Sequence, residues 1–214
     1  MKAHERVLAI GAHTDDIELG CGAYLSRLRR EGSDIMAAAF SRAELSLGPD
    51  MAPDTLEREF RNSMALLDIT DRVHMGAIAV RDFPDHRQEI LEELVRIKRE
   101  FQPDLVITMN SKDTHQDHQV VHGESVRAFR GTTLLGYESP WNQRKSNNDL
   151  FVEVQPEDVE MKIAMLGEYK SQATLKRSYV DPEYVHSAAT FRGYQGRLPL
   201  AELYEVITMV WGER

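Results

Sequence analysis

The chain has 214 residues, 42% hydrophobic and 29% charged, a balance that fits one globular domain over residues 1–214 and excludes a disordered or fibrous chain. Its net charge of −9 argues against a broad nucleic-acid footprint, and the short basic run "RLRRE" reads as a solvated helix face. The single cysteine, Cys21, excludes an intrachain disulfide and a multi-cysteine zinc site, so any metal must be held by histidine and carboxylate.

Short β-prone runs alternate with longer segments of helical period, the pattern of βαβ units around a mainly parallel sheet. "RVLAIGA" is predicted as the first strand and "GAYLSRLRREG" as the first helix, with Gly32 as its stop. "DIMAAAF" predicts the second strand. In "TLEREFRNSMALLDI", Leu56, Phe60, Met64 and Leu67 fall on one stripe and predict a helix packed on the sheet. "RVHMGAI" is a weaker strand candidate, followed by "HRQEILEELVRIKREF", a strongly amphipathic helix ended by Pro103. "DLVITMN" predicts a buried strand and "HQVVHGESVRAF" the next helix. After "TLLGYES" and "LFVEV", "PEDVEMKIAMLGEYKSQ" predicts a helix started by Pro156 with acids in its first turn. "LYEVITMVW" closes the chain as a strand. The stretches 43–55, 111–117, 139–149 and 171–197 are polar or rich in Pro and Gly and predict loops. No window approaches the roughly 20 apolar residues of a membrane span, and the apolar part of the N-terminus is short for a secretory signal. The expected location is cytoplasmic, with no membrane partner.

In an open α/β sheet, ligands collect at the carboxyl ends of the strands. His13, Asp15, Asp16 and Glu18 follow the first strand; His115, Asp117 and His118 follow "DLVITMN". Both clusters therefore land on one edge of the sheet. A catalytic zinc takes three protein ligands and leaves a fourth position open. His13 and Asp16 can face one point, and a histidine from the second loop completes the set. Asp15 is then free to act on a bound water. Aspartates at a helix start also serve as caps, which suffices to explain either cluster alone; their convergence favours a metal. Zinc is preferred, though two histidines and an aspartate also accept Fe(II), Mn(II) or Co(II).

"AHTDDIELGCGA" resembles the A-H-P-D-D-x-E signature of the PIG-L/LmbE-like zinc deacetylases, and "HQDH" resembles that family's H-x-D-H motif. The similarity extends through "CGAYLSRLRREG", "SRAE", "PDLVITMNSKDTHQDH", "EYKSQ" and "AELYEV". The resemblance implies a Rossmann-like three-layer α/β fold, frequent homo-oligomers, and hydrolysis of the N-acetyl group of a small amino sugar, often an N-acetylglucosamine derivative. It implies zinc on His13, Asp16 and His118, Asp15 as general base, and His115 at the oxyanion or leaving amine, oriented by Asp117. Glu18 would fix the loop. The family commonly uses an arginine from the segment after the second strand to contact substrate, which points to Arg58 ahead of Arg42; pairing with neighbouring glutamates is the alternative for each. Thr14 stands where the family has proline and leaves the loop more freedom, but every charged position is retained, so an active enzyme is expected.

Other signals are weaker. Asp113 either caps the next helix or backs His13 as an acid on its second nitrogen. His122 reads as a pocket-wall or structural residue, Cys21 as helix packing, and His74 and His86 have no assigned role. The 171–197 stretch, with His186, Arg192 and several tyrosines, suits stacking on a sugar or a subunit contact. Alternatives to the amino-sugar deacetylase are a deacylase of another N-acyl amine and a catalytically silent sugar-binding protein. Dinucleotide binding is disfavoured, because "GAHTDDIELGCG" lacks the G-x-G-x-x-G spacing and places acids where a pyrophosphate would lie.

Overall fold

A computed structural model describes residues 4–147 and 149–212. Among these, seven strands form one sheet: β1 (Arg6–Gly11), β2 (Asp34–Ala39), β3 (Val73–Met75), β4 (Leu105–Met109), β5 (Thr133–Tyr137), β6 (Leu150–Glu153) and β7 (Ala201–Thr208). Their order is β3-β2-β1-β4-β5-β7-β6. The first five run parallel, β7 is antiparallel to β5, and β6 is antiparallel to β7. Val7 to Ile10 and all of β4 are buried, as expected for central strands covered on both faces.

The helices are α1 (Asp16–Arg30), α2 (Thr55–Ala65), α3 (Arg87–Phe101), α4 (Gln116–Ala128), α5 (Pro156–Gly167), α6 (Lys170–Thr174) and α7 (Pro182–Gly196). Right-handed crossovers put α1 and α2 on one face of the sheet and α3 and α4 on the other. The chain moves outward from β1 in one direction and from β4 in the other, so the loops after these two strands diverge at a topological switch point.

The apolar stripes set the packing. Leu56, Phe60, Met64 and Leu67 are all buried, as are Ile90, Leu94, Ile97 and Phe101 of α3. Each such side chain contributes about 1.5–3 kcal/mol relative to exposure. Gln102 turns left-handed (φ 51°) just before Pro103, and Gly32 does the same after α1 (φ 90°).

Three boundaries differ from the sequence expectation. α1 starts at Asp16, inside the acidic cluster, and α4 starts at Gln116. The predicted helix over "PEDVEMKIAMLGEYKSQ" breaks after Gly167 and resumes as α6. The 171–197 stretch contains α7, whose buried positions Val185, Ala189 and Gly193 form too small a stripe to read as amphipathic. Its start is nevertheless well specified: Asp181 accepts from the Glu183 amide at 2.9 Å and Pro182 fills the first turn. No helix among the described residues is long and apolar enough to cross a membrane.

Candidate active site

The loop leaving β1 turns tightly at Gly11, where a Cβ would lie 2.7 Å from the His13 carbonyl oxygen. Asp16 Oδ2 then accepts the His13 amide at 2.7 Å, which pins the two side chains to one another. Asp15 occupies the capping position of α1 but makes no side-chain capping bond. Helix capping therefore does not account for it. After β4, His115 caps α4, its Nδ1 accepting from the Asp117 amide at 3.2 Å, and His118 follows in the first turn.

Three donors converge. His13 Nδ1 lies 3.3 Å from His118 Nε2, His118 Nε2 lies 3.3 Å from Asp16 Oδ1, and His13 Nδ1 lies 3.4 Å from Asp16 Oδ2. Ligands about 2.0–2.1 Å from a tetrahedral ion stand about 3.3–3.4 Å apart, and the separations of the two histidine nitrogens from one another and from the two oxygens of Asp16 are of that size. His115 is a competing third donor, since its nitrogen and those of His13 and His118 all lie within 4.8 Å of one another. Both donor sets share His13 and His118, and Asp16 adds a carboxylate charge that the His115 ring lacks.

Two further carboxylates stand behind the histidines. Asp117 Oδ2 lies 2.9 Å from His13 Nε2 and accepts the Arg81 amide at 2.7 Å. Asp113 Oδ2 lies 2.7 Å from His118 Nδ1, and its Oδ1 accepts the His115 amide at 2.8 Å. This differs from the expectation that Asp117 orients His115; of the two readings of Asp113, its bond to the His115 amide at the start of α4 fits the capping one, and the histidine that it backs is His118 in place of His13. The His115 Nδ1 lone pair already takes the Asp117 amide, leaving no proton there for a carboxylate 3.9 Å away.

Burial opposes charge on both histidines, yet Asp16 and Asp117 raise His13 to about 9, and Asp16 and Asp113 raise His118 to about 10. Against the cost of burial, the same histidines hold Asp16 well below the usual carboxylate range. Burial and the adjacent Asp16 push Asp15 upward, whereas burial and the two neighbouring histidines push His115 downward.

The cluster floors a cleft of about 270 Å³, with Leu19, Leu56 and Val80 as apolar wall and Trp141, Asn142, Gln172, Arg177 and Tyr179 from the 139–149 and 171–181 segments. Arg42 and Arg58 do not line it. Arg42 pairs with Glu57 at 3.0 Å and Arg58 with Asp54 at 3.1 Å, both well exposed. The "EYKSQ" segment ties the floor to the wall. Tyr169 donates to the Thr14 carbonyl and sits 2.7 Å from Glu18 Oε1, and Ser171 donates to Glu59 through its amide and hydroxyl at 2.9 and 2.6 Å. Burial pushes Glu18 up to about 8 despite the hydrogen bond from Tyr169. The loop freedom expected from Thr14 is thereby offset by Tyr169. Trp141, Arg177 and Tyr179 are cleft residues that the sequence did not single out.

A family model described as PIG-L, GlcNAc-PI de-N-acetylase, matches residues 8–129, which include both clusters. The chain belongs to the PIG-L family. An Escherichia coli K12 protein described as a deacetylase, YaiS, is 35% identical over 170 residues, 77% of this chain and 90% of that one. The N,N'-diacetylchitobiose deacetylase of Pyrococcus horikoshii superposes with a TM-score of 0.80 at 17% identity, over 96% of this chain and 85% of that one. A 4-carboxy-2-hydroxymuconate hydratase from Pseudomonas putida KT2440 superposes with a TM-score of 0.78 at 18% identity, over 98% and 99%. At such identities the likeness shows the fold alone. One neighbour is a deacetylase and the other a hydratase, so the PIG-L scaffold does not by itself select the reaction.

Proposed function

We propose that this PIG-L protein is a zinc-dependent N-deacetylase of a small N-acetylated amino sugar or its conjugate, with residues 1–214 as one catalytic domain. The observation that carries the reading is the convergence of His13, Asp16 and His118, with donor separations of 3.3–3.4 Å to one or other Asp16 oxygen and between the rings, beside an aspartate that makes no cap. These three residues would hold the ion. Bound zinc supplies a Lewis acid for the amide carbonyl and lowers the pKa of water to about 7.

The remaining work falls to the chain's own groups. Asp15 accepts the proton of the attacking water, a role its upward-shifted carboxyl suits. His115 keeps its Nδ1 as an acceptor, so in the neutral ring the proton resides on Nε2, where it can donate to the developing oxyanion. Asp117 and Asp113 orient His13 and His118 from behind. Water adds to the acetyl carbon, the proton taken by Asp15 passes to the nitrogen as the C–N bond breaks, and the free amine and acetic acid leave, the acid losing its remaining proton to solvent as acetate. The family description, the chitobiose deacetylase neighbour and the apolar and aromatic cleft support an N-acetylglucosamine-type substrate.

The test is release of acetate and free amine by zinc-loaded protein from a panel of N-acetylated amino sugars, their conjugates and plain amides, with Asp15→Ala as control and a 2-hydroxymuconate as hydration probe. Release from a sugar subset, lost in the variant, supports the reading. Hydration without amine release overturns it.

A further inference from the structure

Glu59, Ser171, Gln172 and Tyr179 form a hydrogen-bonded series that runs from α2 to the cleft, and each bond in it fixes the direction of the next. Glu59 accepts from the Ser171 amide at 2.9 Å and from its hydroxyl at 2.6 Å. The Ser171 proton is thereby committed, and its oxygen accepts from Gln172 Nε2 at 3.1 Å. That contact orients the amide. Reversed, Gln172 would set its carbonyl oxygen against a hydroxyl with no proton left to give. Gln172 Oε1 therefore faces the other way, and the Tyr179 hydroxyl donates to it at 3.2 Å.

Asp15 lines the same cleft and is a second acceptor for the Tyr179 proton. Burial decides between them. Asp15 is half-buried, whereas Gln172 is 2% exposed, and among the described residues no other side-chain donor reaches its Oε1. Without Tyr179 that buried oxygen would be stranded, at the full cost of its desolvation. Burial and the charge of Asp15 push the phenol above the usual tyrosine range, so its proton stays on. The ring is held as well, stacked on Trp141 with centroids 5.2 Å apart and an interplanar angle of 24°. With its one proton given to Gln172, Tyr179 offers the cleft an oxygen that can only accept.

We propose that Tyr179 is a specificity-determining residue of the deacetylation: its phenolic oxygen accepts a hydrogen bond from one ring hydroxyl of the sugar, and Glu59 sets the direction of that bond through Ser171 and Gln172. The inference rests on the deacetylase reading and adds how its site distinguishes a hydroxyl from groups of similar size.

The test measures kcat/KM on the methyl glycoside of N-acetylglucosamine and on its 3-, 4- and 6-deoxy and deoxyfluoro analogues, for wild type, Tyr179→Phe and Ser171→Ala. At one ring position wild type should favour the hydroxyl about tenfold over both analogues, the size of one neutral hydrogen bond, with hydrogen and fluorine equally poor because neither can donate. In Tyr179→Phe, which keeps the ring on Trp141, the preference should fall to about twofold or less, mainly through KM. Ser171→Ala frees the Gln172 amide to turn and donate to Tyr179, whose proton then points to the cleft, so fluorine should gain on hydrogen at that position. Binding of the same compounds is followed by tryptophan fluorescence. A hydroxyl preference in binding that depends on Tyr179, with no turnover of any compound, retains the hydroxyl site and removes the deacetylase reading. No hydroxyl preference in wild type, an equal one in Tyr179→Phe, or the wild-type pattern kept in Ser171→Ala overturns the inference.

Discussion

Asp113 Oδ2 sits 2.7 Å from His118 Nδ1, while Oδ1 of the same carboxylate takes the His115 amide at 2.8 Å. One buried side chain thereby sets the ring orientation of a proposed metal donor and the start of α4. Removing such a partner typically costs 10–100-fold in metal affinity. Asp113→Ala is expected to weaken zinc binding by about that factor, measured by titration against a competing chelator. Unchanged affinity would detach Asp113 from the metal site.

Asp15 lies next to a donor without belonging to the triangle, and it is half-buried at the cleft floor. Asp15→Ala should keep one zinc per chain and lose about 10²–10⁴-fold in turnover, the usual contribution of a general base. Metal analysis and single-turnover kinetics on the same sample separate the two effects. Loss of zinc along with activity would make Asp15 a ligand instead.

Metal binding should be strongly pH-dependent. In the metal-free protein the neighbouring carboxylates raise His13 and His118 above the usual imidazole range, so binding an ion competes with protons on these rings. Calorimetry in buffers of different ionisation enthalpy should show net proton release on zinc binding at pH 7. The stability sign follows. Histidines raised on folding contribute stability fully present below about pH 6.5 and lost as pH rises through 9 and 10. The Tm of metal-free protein should therefore fall over that window, and the increment from zinc should grow. A zinc increment independent of pH would place the ion elsewhere.

The central strands and the two charged clusters were legible because they are local. A strand buried on both faces leaves a continuous apolar run such as Val7 to Ile10, and His13 and Asp16 are close in sequence. What depends on distant pairing was not. Asp117 reaches His13 across 104 positions, and no local spacing announces that choice over His115. Arg58 offered a local clue against a substrate role, since Asp54 sits four residues before it on a helix turn.

Close packing of α1 on β5 gives a last test, with a control in the same fold. A Cβ on Gly20 would fall 2.1–2.7 Å from ring carbons of Tyr137, which is fully buried and donates to the Ile10 carbonyl at 3.0 Å. A Cβ on Gly123, in α4, meets nothing within 4 Å. Helix propensity alone favours alanine over glycine by about 1 kcal/mol at both positions. At Gly123 that gain should stand, so Gly123→Ala is expected to stabilise by up to about 1 kcal/mol. At Gly20 the ring must move or the helix must lift, and Gly20→Ala should destabilise by about 1–3 kcal/mol despite its propensity. Urea unfolding of both variants in metal-free form decides the matter. Equal shifts of the same sign would mean that helix propensity, and not the approach of Tyr137, governs Gly20.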